Sequence, residues 1–210
     1  VGNNEKSVCD GGVATTCFDN VPFASNTDPN LAYGFVAAHV DPGKFGEDKS
    51  CGACFEVDFT GEGHYDVNDP GSKRLKDKRM VVQSTNIGYD VSGGAFKQFD
   101  LMVPGGGLGV FDGCSTQLGV DESALGERYG GLLTTCKRET SNHEDTKKCV
   151  RDKCSLFPDA DLKKGCEWFV DWYEAADNPR MKFRSVPCPS ELTRVTGFGA
   201  PVVDLDEAFR

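Results

Sequence analysis

The sequence predicts a mainly β fold held by disulfides, and three observations carry that prediction. First, its 210 residues include 25 glycines and 10 prolines, one residue in six, which is more punctuation than a helical bundle tolerates. Second, residues 53–60, ACFEVDFT, alternate Phe55, Val57 and Phe59 against Glu56 and Asp58, the period-two pattern of a strand with one buried face. Third, there are ten cysteines, an even number scattered through Gly-rich segments, which read as cystines formed in an oxidising compartment.

The elements follow in chain order. Residues 1–30 are polar and turn-rich, and Asp28-Pro29-Asn30 resembles a helix start. Leu31–Ala38 fits a short helix or a buried strand equally well. After the strand at 53–60, residues 61–78 are rich in Gly, Asp and Lys and read as an exposed loop. Met80–Thr85 is a second strand, Phe99–Val103 a third, and Gly107–Phe111 a short fourth candidate. Residues 137–153 are nearly all polar and bracketed by Cys136, Cys149 and Cys154, which suggests a stapled surface excursion. Trp168, Val170 and Trp172 alternate and favour a strand in Cys166–Tyr173, with a helix from Asp159 as the alternative for its first part. Met181–Val186 is a further strand, and Ser190–Gly197 a short helix with a Ser cap and a terminal Gly. No repeat, linker or low-complexity tract divides the chain, so one domain over residues 1–210 is expected.

Charge and hydropathy exclude some partners. A net charge of −10 repels phosphates, which argues against nucleic acid. No apolar run approaches the roughly 20 residues that span a bilayer. Val1–Asn4 is polar, unlike a signal peptide, as expected of a secreted, extracellular protein whose leader has been removed. Cys51-Gly-Ala-Cys54 lacks a second CxxC, and His39, His64 and His143 are scattered, so zinc is disfavoured. A redox pair is disfavoured too, for want of a βαβ setting. Gly105–Gly107 lacks the remainder of a phosphate-binding motif, and no cofactor is expected.

Asp100 carries the chemistry. Between Phe99 and Leu101 on a strand, its side chain faces the opposite way from both, toward a groove. Partial burial, with Asp90 nearby, would favour the protonated form and make Asp100 a general acid. Trp168 and Trp172 read as core. Tyr129, between glycines in a loop, reads as a ligand-contacting aromatic. His64 and His143 read as solvated.

The stretches CDGGVATTC, LAYGFVAA, SCGACFEVDFT, KRMVVQSTNIGYD, FDLMVPGGGLGVFDGC, ERYGG, FPDADLKKGCEWFVDWYEAADNP and FRSVPCPSEL occur in this order from Cys9 to Gly197. Together they strongly resemble the family 45 glycoside hydrolases. That resemblance implies a six-stranded double-psi β-barrel with short helices and long disulfide-stapled loops, the fold shared with expansins. It implies a secreted, monomeric, inverting endo-β-1,4-glucanase whose partner is β-1,4-glucan. Asp100 falls on the family's general acid, Asp90 on an assisting Asp and Tyr129 on the tyrosine of the RYGG stretch. Gln98 stands where relatives often carry His, and Gln98 and Gly106 join Tyr129 as expected substrate contacts.

The resemblance also marks departures. The strand that bears the family's general base precedes the matched stretches, and Val1–Ser7 contain no Asp. An N-terminal peptide of the same precursor, or Asp204, Asp206 or Glu207, would then supply the base. Otherwise the protein would be a non-hydrolytic, expansin-like glycan binder. Family pairings imply the cystines Cys54–Cys188 and Cys154–Cys166. One family cystine is replaced at both ends, by Gly52 and Phe198. Cys136 and Cys149 form a new pair. Cys9, Cys17, Cys51 and Cys114 then pair as Cys9–Cys17 and Cys51–Cys114, or with an N-terminal piece.

Overall fold

The computed structural model describes residues 6–12, 20–38, 50–88, 98–108, 115, 119–199 and 202. Six strands make one mixed sheet: β1 (Phe23–Ala24), β2 (Leu31–Ala38), β3 (Cys54–Gly63), β4 (Arg79–Asn86), β5 (Phe99–Leu101) and β6 (Pro179–Val186). The order is β1-β2-β4-β3-β6, with β5 also on β2. The β2–β4 pair is parallel and every other described pair antiparallel. The described pairings run from edge to edge without closing a ring, but side chains do meet across the curl. Phe99 on β5 packs edge-on against Phe183 on β6, at the far end of the strand order, with centroids 4.9 Å apart. Phe55 touches both rings.

Strands buried on both faces carry long apolar runs, which explains why Leu31–Ala38 was ambiguous between helix and strand. Ala32 and Val36 face one core with Phe55, Val57, Phe59, Met80 and Val82. Tyr33 and Phe35 face another with Val81, Met102 and Leu192. The strand at 53–60 is present and continues to Gly63. Asp28 starts a turn rather than a helix: its carboxylate accepts from the Asn30 amide and its carbonyl from the Leu31 amide, delivering the chain into β2. Of the fourth candidate, Gly107 forms only an isolated bridge with Tyr129, and 109–111 lie outside the described residues.

Among the described residues, five helices flank the sheet: α1 (Pro70–Arg74), α2 (Gly131–Glu139), α3 (His143–Lys153), α4 (Ala160–Asp171) and α5 (Ser190–Thr196). Residues 137–153, expected as a stapled surface excursion, are stapled by Cys136–Cys149 but helical, forming the end of α2 and all of α3. The strand expected at Cys166–Tyr173 is α4, which Asp159 caps by accepting from the Asp161 and Leu162 amides. Leu162, Cys166 and Val170, spaced four apart, are its buried stripe. Trp168 and Trp172 stack at 5.4 Å and are core, as expected, with the Trp172 indole donating to Pro29 O. The loop expected at 61–78 contains α1, anchored by buried Asp69. That carboxylate accepts from the Ser72 amide and hydroxyl and the Asp177 amide, and lies 3.5 Å from Lys137 Nζ. In α5 the N-cap is Pro189, not Ser190, and Gly197 ends the helix at φ +77°.

The cystines Cys54–Cys188, Cys136–Cys149 and Cys154–Cys166 are those expected. Cys51 is a correction: it pairs with Cys9, not with Cys114, so Cys9 is not joined to Cys17. The 3-10 turn Val8–Asp10 packs beside β4 and brings the Cys9 and Cys51 Cα atoms to 5.6 Å, a span a disulfide bridges. Cys17 and Cys114 lie outside the described residues.

Candidate active site

The site is built on β5 and the two glycine loops beyond it. Phe99 and Leu101 pack inward against the sheet core, so strand alternation turns Asp100 outward, opposite Ala37 of β2. Asp100 is exposed, not part-buried as expected, because its two neighbours occupy the inward positions. Gln98, also exposed, lies two residues earlier, just before the strand begins. Asp90 lies outside the described residues, as do His39, Asp204, Asp206 and Glu207.

From β5 the chain passes Met102, whose amide donates to Phe35 O, into Gly105–Gly107. These glycines meet the Glu127–Gly131 loop backbone to backbone. The Leu132 amide donates to Gly105 O, the Leu108 amide to Arg128 O, and Gly107 bridges Tyr129. A Cβ on Gly131 would lie 2.0 Å from Gly105 O and 2.4 Å from Gly107 N, so only glycine permits this approach. The run at 105–107 therefore serves close packing. Exposed Gly106 and Tyr129, the latter 66% accessible, are presented together on the resulting floor.

Sequence reasoning missed the neighbours of Tyr129. Arg128 and Glu122 approach to 3.8 Å, and Asp121 accepts from both the amide and the hydroxyl of Ser123. With Leu108 and Gly126 they line a pocket of about 450 Å³. Their signal was the cluster of charges inside a glycine-rich segment. His143, expected to be solvated, is instead half-buried, with Nε2 enclosed and unpartnered. His64 is exposed, edge-on to Tyr65. Among the described residues, the one cluster with metal-ligand spacing is Cys136, Glu139 and Cys149, and its two sulfurs are already joined as a cystine. No helix among these residues is long and apolar enough to cross a membrane.

Comparison with known proteins agrees with this architecture. Endoglucanase B of Cellvibrio japonicus is 44% identical over 205 residues, covering 94% of this chain. An endoglucanase of Cryptopygus antarcticus is 36% identical over 194 residues, covering 92%. A putative endoglucanase type K of Fusarium oxysporum is 37% identical over 187 residues, covering 89%. The chain spans 38%, 70% and 40% of the lengths of these relatives, respectively. The crystal structure of the cellulase from the Antarctic springtail Cryptopygus antarcticus superposes with a TM-score of 0.63 at 36% identity, covering 92% of this chain and 76% of that one. Residues 2–198 match the profile described as Glycosyl hydrolase family 45, and the chain belongs to that family.

Proposed function

We propose that this protein is a secreted endo-β-1,4-glucanase that hydrolyses cellulose and related β-glucans, with Asp100 as the acid that protonates the departing glycosidic oxygen. The observation that carries the reading is the placement of Asp100. The sheet holds this carboxylate facing solvent, between two inward-packed apolar neighbours, a few residues ahead of a glycine turn bridged to an exposed aromatic. Tyr129, Gln98 and Gly106 offer the stacking surface, amide and open backbone that a polysaccharide chain needs. The names of the relatives, endoglucanases throughout, support hydrolysis over the non-hydrolytic alternative, which is not favoured.

Inversion requires a second carboxylate, roughly 6.5–9.5 Å from the acid, to activate water. Asp90 assists Asp100 by its charge in this reading. An N-terminal peptide of the same precursor, or a residue of the acidic tail, supplies the base. The protein acts as a monomer, with residues 1–210 as one catalytic domain. The four described cystines suit an oxidising extracellular setting.

Release of new reducing ends from soluble β-glucan tests the proposal. Asp100→Asn keeps the shape and removes the proton, and its rate is expected to fall at least about 100-fold. An Asp100→Asn variant as active as the wild type would refute the assignment. A wild type that binds glucan but releases nothing would refute hydrolysis.

A further inference from the structure

We propose that the pocket lined by Leu108, Asp121, Glu122, Ser123, Gly126 and Arg128 is an outlying subsite for a neutral sugar ring, occupied only by longer glucan chains. This deepens the glucan-cleaving reading and rests on it.

The pocket is joined to the glycine floor by backbone hydrogen bonds. Leu108, on its apolar side, donates its amide to Arg128 O, and the adjacent residues Gly107 and Tyr129 bridge one another. A chain lying across the exposed Tyr129 ring would therefore meet the pocket within a residue or two of protein backbone. The pocket, about 450 Å³, is open to solvent, as suits one ring of a chain lying along the surface rather than an enclosed ligand.

The lining matches the chemistry of a pyranose, which has a C–H face and a rim of hydroxyls. Buried Leu108 and the bare backbone of Gly126 offer the apolar surface. The Arg128 guanidinium brings donors, the Asp121 and Glu122 carboxylates bring acceptors, and the Ser123 hydroxyl, its proton given to Asp121, offers an acceptor too. Asp121 is held in place by the Ser123 amide and hydroxyl, and Glu122 is oriented toward Arg128 at 3.8 Å. Two carboxylates against one guanidinium, on a protein of net charge −10, disfavour an anionic, uronate-bearing chain and select an uncharged one.

Affinity for β-1,4-linked glucose oligomers, a trimer and a hexamer, is measured by calorimetry on the full chain carrying Asp100→Asn, so that neither oligomer is cleaved during titration. The wild-type pocket, Arg128→Ala and Glu122→Gln are compared in that background, with thermal unfolding recorded for each. In Arg128→Ala the hexamer is expected to bind roughly tenfold more weakly, the loss of a hydrogen bond to a charged group, while trimer affinity is unchanged. Glu122→Gln is expected to show a smaller loss on the hexamer alone. Unchanged hexamer affinity in both variants, an equal loss on both oligomers, or no hexamer binding by the wild-type pocket would each overturn the subsite. Cleavage is scored separately. Length-dependent binding without cleavage upholds the subsite and defeats only the hydrolytic reading.

Discussion

His143 begins α3 with its Nε2 enclosed and unpartnered, so a proton there has nowhere to go. Burial lowers its pKa below the ordinary value, and the neighbouring Arg74 charge lowers it further. Asp69, Glu144 and a bond to the Glu174 backbone oppose both. The unfolded chain therefore takes up the proton first, at its ordinary pKa of about 6.5. The stability that neutral His143 supplies is complete above that pH and declines as pH falls toward the folded-state value. Urea midpoints measured from about pH 8 to pH 5 are expected to show this decline in wild type. His143→Gln, which does not titrate, should flatten it. An identical pH profile in the variant would show that the enclosed nitrogen plays no part. The sequence reading placed His143 in solvent because its neighbours in the chain are polar; Arg74 of α1, the Asp69 that caps α1 and the Glu174 backbone reach it from distant segments. Asp100 was legible in direction, since alternation with Phe99 and Leu101 is a local property. Its exposure was not, because that depends on what lies opposite the strand.

At the level of elements, the glycine loops are the most constrained feature of the site. Gly131 sits at φ +51°, against the backbone of Gly105 and Gly107. Gly131→Ala is expected to cost at least about 2 kcal/mol, from the positive φ and the backbone clash together, and to lower glucan turnover by displacing Tyr129. Denaturation and reducing-end assays on the same preparation would check both, and a variant with wild-type stability would contradict the packing described. The strands could be read from sequence because their signal is local alternation or a continuous apolar run. Among the helices, α5 was read in place from its terminal Gly197, but α1, α2 and α3 were not, and α4 stood only as an alternative. In α4, Trp168 and Trp172 are four apart, a spacing that period two and period 3.6 both satisfy. The Leu162, Cys166 and Val170 series shares that ambiguity; exposed Lys164 and buried Gly165, which period two would place the other way round, separate them. In α3 the buried stripe is reduced to Thr146 and Val150, with Cys149 drawn in by its cystine, so the apolar signal nearly vanishes.

Across the whole molecule, the cystines divide the work by reach. Cys54–Cys188 ties β3 to the segment after β6 across 134 residues, whereas Cys136–Cys149 closes only 13. Chain-entropy arguments put their contributions at about 5 and about 3 kcal/mol respectively. Paired Cys→Ala replacement, followed by urea denaturation, is expected to rank them in that order; the reverse ranking would show that native contacts, not loop length, set their value. Cys9–Cys51 was the pairing that sequence did not disclose. It depends on where the Val8–Asp10 turn docks on β4, which no local pattern encodes.

Gly52 and Phe198, the two positions where the resemblance placed a lost cystine, are still connected. Fully buried Gln83 on β4 donates through Nε2 to Phe198 O at 2.9 Å and to Gly52 O at 3.3 Å, while its Oε1 accepts from the Thr196 hydroxyl at 2.9 Å. An amide contains no bond for a thiol reductant to attack. The chain just past α5 is thus moored to the sheet by a link indifferent to the redox state of its surroundings.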